Sequence, residues 1–131
     1  YNVGPGHPGI HALSLSTGEI LWRKDLSDQC EESRFLCWHG ISAAVSSAED
    51  LVFAGGLDGI LRAFDPESGD ILWQTATLQS FGMPNGIEAH GGAIEADGPV
   101  LVGGEVFVTS GYDKWNEAPG NVLLVYSVNG Q

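Results

Sequence analysis

"RAFDPESGDILW" (62–73) lies without a gap over "HALSLSTGEILW" (11–22), and this pairing decides the fold. Ala12 meets Ala63, Gly18 meets Gly69 and Trp22 meets Trp73, at one constant spacing. Outward from that core, "HGISAAV" (39–45) lies over "HGGAIEA" (90–96) at the same spacing. A third copy follows. "EVFVTSG" (105–111) resembles "DLVFAGG" (50–56), and "NVLLVYSVNG" (121–130) resembles "GILRAFDPESG" (59–69) after an eight-residue insertion. The third copy stops before it reaches its own Trp.

Each unit reads as four short strands. In the complete unit they are expected at 42–46, 51–55, 60–65 and 70–75, rich in Val, Ile, Leu, Phe and Ala. The segments between them, "SAED", "GLDG" and "PESG", supply the Gly, Pro, Ser and Asp that tight turns use. No stretch keeps a 3.6-residue apolar period with capping residues, so no long helix is expected. Self-similar four-stranded units of about 50 residues are the mark of β-propeller blades. The fold class is therefore all-β, with four-stranded antiparallel blades. The expected division is the end of one blade (1–23), a complete blade (39–75) and most of a third (90–131), forming one partial propeller. In the Gly-x-x-x-Trp step, Gly permits the turn and the outer-strand Trp buries its ring against the next blade. Two and a half blades do not close a ring, which takes roughly four to eight. The remaining blades, or other chains, are the expected partners, and the chain is expected to be a processed form or a segment of a longer one.

Composition narrows the chemistry. At 131 residues and 43% hydrophobic, the chain is one domain's worth of sequence with enough apolar residues for a core. Five basic against 17 acidic residues give a net charge of −12, a field that repels a phosphate backbone and excludes nucleic acid as a partner. The longest apolar run, "NVLLVYSV" (121–128), is strand-sized, so no membrane span of roughly 20 residues is expected. Cys30 and Cys37 are too far apart for a C-x-x-C redox pair, and there is no second cysteine pair for zinc. They read as a disulfide stapling a polar loop, which implies an oxidising compartment. No nucleophile elbow, phosphate loop or His-Glu-x-x-His zinc motif is present.

The pattern Ala-x-Asp-x-x-Ser/Thr-Gly-x-x-x-Trp, carried by "AFDPESGDILW" and more loosely by "ALSLSTGEILW", resembles the tryptophan-docking motif of quinoprotein propellers, the pyrroloquinoline quinone (PQQ) dehydrogenases. "NGIEAHGGAIEADGPVLVGGEVFVTSGY" followed by "PGNVLLVYSVNG" is similar to the last part of the polyvinyl-alcohol-dehydrogenase-like quinoproteins. The resemblance implies PQQ and Ca²⁺ as cofactors, a small alcohol or polymer as substrate, and a secreted or periplasmic protein. The competing function is a non-catalytic secreted propeller that binds protein or polymer through its loops, since one fold hosts both.

Blade geometry sorts the polar residues. The connections between blades and the loop between second and third strands share one rim, here 1–9, 23–41, 56–59, 74–92 and 110–120. These loops are longer than the scaffold needs, which points to function. His39 and His90 occupy equivalent repeat positions at the mouth of the axis. There an imidazole could take a proton from an alcohol or bond a quinone carbonyl. His90 is the catalytic candidate and His39 a cofactor contact, the competing reading being that each ties its loop to a neighbouring blade. Asn85 and Glu88 offer oxygens of the kind Ca²⁺ takes, and Asn85 doubles as a cofactor contact; solvated loop residues are the alternative. Trp38 and Trp115 could stack on a flat ring, or cap their own loops. His7 and His11 read as structural.

Overall fold

The computed structural model describes residues 6–26, 30, 36–83 and 86–127. Among them every regular element is a strand, and no helix is long and apolar enough to cross a membrane. Strands β1 (Gly9–Leu13) and β2 (Ile20–Asp25) pair antiparallel as the end of the first blade. The second blade is a four-stranded antiparallel sheet in chain order: β3 (Ser46–Ala48), β4 (Leu51–Gly55), β5 (Ile60–Phe64) and β6 (Ile71–Ala76). A small hairpin of β7 (Ser80–Gly82) and β8 (Glu88–His90) follows. The third blade contributes β9 (Val100–Val102), β10 (Glu105–Ser110) and β11 (Val122–Ser127), with β10 central.

The repeat is reproduced in the backbone bonds of its turn. Asp65 N–H donates to Asp70 O at 2.8 Å and Gly69 N–H to Asp65 O at 2.9 Å. In the first blade Ser14 and Gly18 make the same two bonds, both at 2.8 Å. Gly69 and Gly18 adopt φ of +75° and +74°, the left-handed region that a side chain disfavours. The register slips at one equivalent place in both hairpins, Ala12/Leu13 and Ala63/Phe64. Asp in one copy and Ser in the other build one turn because each side-chain oxygen accepts backbone N–H bonds.

Blades then stack through apolar faces. Trp22 lies on the Gly69 turn of the next blade: a Cβ added to Gly69 would fall 2.5 Å from its ring. Its indole N–H donates to Pro66 O at 2.9 Å. Ile10, Leu26, Ala54 and Phe64 fill the core between first and second blades, with Trp22 and Ile71 against it. Ala43, Leu61, Ile94 and Val108 do the same between second and third.

The first strand of the second blade differs from expectation. Pairing covers Ser46–Ala48 rather than 42–46. The preceding segment bonds elsewhere: Gly40 O accepts from Leu57 N–H and Ser42 reaches the third blade.

Candidate functional site

Backbone bonds gather the loops of the long-loop rim. The β4–β5 turn meets both flanking entry segments, through Leu57 N–H to Gly40 O and Ile94 N–H to Gly56 O, each 3.0 Å. The β10–β11 loop returns onto the third entry segment, where Ala93 N–H donates to Ala118 O at 2.8 Å and Asn121 N–H to His90 O at 2.9 Å.

Cys30 and Cys37 form a disulfide, with Cα atoms 5.7 Å apart. Just after it, Trp38 points its indole N–H at Asn116 O, 3.0 Å away. This bond brings together two loops from different blades and sets Trp38 beside the residue that follows Trp115. Both indoles are open, Trp38 at 50% and Trp115 at 69% exposure. The Trp115 loop is held from within: Trp115 N–H donates to the buried Glu117 carboxylate at 2.7 Å, and Asn116 N–H to Asp113 Oδ1 at 3.0 Å. Lys114 Nζ stands 5.5 Å from the Trp115 ring centroid, within reach of its negative face.

His90 closes β8. Its backbone is clamped, with N–H donating to Asn121 Oδ1 at 3.0 Å, while its imidazole is exposed. His39 is likewise exposed. Glu88 begins β8, opposite Gly82, and is exposed. Asn85 lies outside the described residues. The rim connection 74–92 is therefore not a plain loop, since Ser80–Gly82 and Glu88–His90 pair as strands within it. Gly91 is needed by close approach: a Cβ there would meet Thr77 O at 1.9 Å.

Several polar groups of this region escaped sequence reasoning. Arg62 and Asp58, 1% and 3% exposed, form a buried bidentate pair at 2.6 and 3.2 Å. Thr77 and Ser110 share a 2.8 Å hydroxyl contact over Gly92. Glu95 is buried at 7% exposure. The available signal was a charge inside an apolar run, in "ILRAF" and "GGAIEA".

The exposed indoles of Trp38 and Trp115 are flat apolar faces of the kind that suits an aromatic quinone. The fit to a cation is poor: among the described residues no group of three or more His, Cys, Asp or Glu could hold a metal ion.

Known proteins agree with this architecture. Residues 3–80 match the PQQ_2 family model, described as "Outer membrane protein assembly factor BamB". Polyvinylalcohol dehydrogenase of Sphingopyxis sp. (strain 113P3) is 34% identical over 138 residues, covering 96% of this chain and 21% of the relative. 1-Butanol dehydrogenase (cytochrome c) of Thauera butanivorans is 31% identical over 103 residues, covering 79% of this chain and 15% of the relative. The crystal structure of BamB from Moraxella catarrhalis superposes with a TM-score of 0.62 at 16% identity, over 95% of this chain and 33% of that one. The chain thus spans about a fifth of the length of the curated dehydrogenases it matches. It belongs to the PQQ-type quinoprotein β-propeller family.

Proposed function

We infer that this chain is part of a PQQ-dependent alcohol dehydrogenase that oxidises an alcohol or polyol, and that its long-loop rim forms part of the wall around the cofactor. The observation that carries this reading is the 34% identity to a polyvinylalcohol dehydrogenase along 96% of the chain. PQQ, when bound, supplies the hydride acceptor. The chain's own contribution is orientation and proton handling. Trp38 and Trp115 offer flat apolar faces, Trp38 held by its bond to Asn116. His39 offers a hydrogen bond at the cofactor's edge. His90, on a backbone clamped by Asn121, takes the hydroxyl proton of the alcohol through its open imidazole. Glu88 and Asn85 carry oxygens of the type Ca²⁺ takes, but no step is assigned to the ion, since the described residues gather no cation site. The Cys30–Cys37 bond supports an extracytoplasmic location.

A second reading, a non-catalytic scaffold, draws on the BamB description of the matching family model and on the BamB-like backbone. One experiment separates the two. The full-length protein is mixed with PQQ and Ca²⁺, desalted, and assayed for retained quinone absorbance and for dye reduction with alcohols. Retention and turnover support the dehydrogenase, whereas a colourless, inert protein leaves the scaffold. In the active protein His90→Ala is expected to lower kcat about 10²–10⁴-fold, the usual contribution of a positioned base. Its melting temperature should stay near that of the unsubstituted protein, because the ring is exposed.

A further inference from the structure

Thr77, just past β6, and Ser110, the last residue of β10, are 0% and 3% exposed. Their repeat counterparts at the junction of first and second blades are Leu26 and Gly55, and the counterpart of Gly92 is Ile41. There Leu26 is buried in the apolar core with Ile41 packed against it. A blade junction therefore holds without hydroxyls at these positions. What differs at the second junction is the eight-residue insertion in the β10–β11 loop. Its stem lies so close to the entry segment that a Cβ at Gly92 would fall 2.1 Å from Ala118 O, and one at Gly120 would fall 2.7 Å from His90 O. No isoleucine fits at 92, and the apolar contact of the first junction is lost.

Hydroxyls take its place. Gly92 N–H donates to Ser110 Oγ at 2.9 Å, Ser110 donates to Thr77 Oγ1 at 2.8 Å, and Thr77 donates to Gly59 O at 3.0 Å. Run in that direction, the chain uses each hydrogen once, and both hydroxyls give and accept. Such bonds reinforce one another in a dry interior. The backbone on either side of Gly92 is pinned as well. His90 bonds Asn121 through both N–H and C=O, Gly91 N–H donates to Gln79 O, and Ala93 N–H donates to Ala118 O. Among the N–H bonds of 90–93, that of Gly92 alone ends on a sheet strand, and the others end on loops. The His90 imidazole is exposed, so the backbone that carries it sets where it stands.

We propose that Ser110 and Thr77 are positioning residues for His90: their hydroxyl chain ties segment 90–93, and the loop stem lying on it, to the sheet. The proposal rests on the reading of His90 as proton acceptor, and one arm of its test does not depend on turnover. Amide hydrogen exchange of the full-length protein is followed in Thr77→Val, which keeps the shape and loses the hydroxyl, in Thr77→Ser, which keeps the hydroxyl, and in Ser110→Ala. Exchange at the His90, Gly92 and Ala93 amides is expected to rise about tenfold in Thr77→Val and Ser110→Ala and to stay at the parent rate in Thr77→Ser. The Leu26 and Leu57 amides of the first junction should not change. In a protein with turnover, Thr77→Val is expected to lower kcat about 10–100-fold with KM little altered. It should lower kcat no further once His90→Ala is in place. Thr77→Val decides the matter even if Ser110→Ala does not fold. No rise at 90–93, a rise shared by Thr77→Ser or by the first junction, an unchanged kcat, or a fall in kcat that persists in the His90→Ala background overturns the proposal. A local rise in a protein that retains no PQQ and reduces no dye overturns the dehydrogenase reading alone.

Discussion

Asp65 shows how one side chain sets a turn. Its Oδ1 accepts from Ser68 N–H at 2.9 Å and from Glu67 N–H at 2.7 Å. These bonds, that from Ser68 first, hold its carboxyl below the ordinary aspartate range. A depressed folded pKa means stability that is present above the unfolded value and lost as pH falls through the folded one. The melting-temperature gap between the parent chain and Asp65→Ala should therefore be widest at neutral pH and narrow in acid. A gap flat with pH would show that the charge is not involved. Gly69→Ala meets two obstacles, the left-handed φ and the Trp22 ring at 2.5 Å. A loss of at least ~1–3 kcal/mol is expected from the backbone alone, read by denaturant unfolding. Asp58→Ala would leave the Arg62 guanidinium buried without its carboxylate, at a cost of about 3–5 kcal/mol by the same measurement. The turn was legible in "DPESG" because its chemistry is local. The Asp58–Arg62 pair was not, because burial of both groups depends on flanking blades.

Among the elements, the two docking tryptophans make an internal comparison. Trp22 has its full seat, the Gly69 turn and Pro66 O. Trp73 is 39% exposed beside a groove of about 610 Å³ and meets Tyr126 in a T-shaped arrangement with ring centroids 5.4 Å apart. The residue that aligns with Gly69 in the third copy, Gly130, lies outside the described residues. In this chain Trp22→Ala should therefore cost more stability than Trp73→Ala, the first approaching the ~3–5 kcal/mol of a core Trp truncation. Equal losses in chemical denaturation would mean that the docking seat contributes little. The disulfide closes a short loop, worth up to ~2.5 kcal/mol by chain entropy. Reduction should loosen the Trp38–Asn116 contact before it affects the β3–β6 sheet, which amide exchange can resolve. Strand positions β4, β5 and β6 were readable from apolar runs between turn residues. The β7–β8 hairpin was not, because "SFG" and "EAH" are three residues each, too short for a period to show, and they pair where the connection folds back over Gly91.

At the scale of the whole molecule, the described blades are part of a ring with two apolar faces open. Leu13 is 55% exposed on the first blade, where its counterpart Phe64 in the second blade is buried, and Leu123 is 63% exposed on the third. Faces of this kind are buried at the two inner junctions. The isolated chain is expected to bind a hydrophobic dye and to gain mass with concentration in light scattering. A monomer without dye binding would show that these faces are not blade-contact surfaces. What the sequence by itself determined is the blade: its repeat length, its turns and its docking Trp, because these rest on contacts a few residues apart or on one recurring pair. The candidate site residues were legible as types on one rim. Only the tertiary structure decided which of them meet. Trp38 joins the loop of Trp115, Glu88 and His90 enter a hairpin, and Glu95 is sealed against Ser42, because such contacts arise between blades, where sequence distance carries no information about proximity.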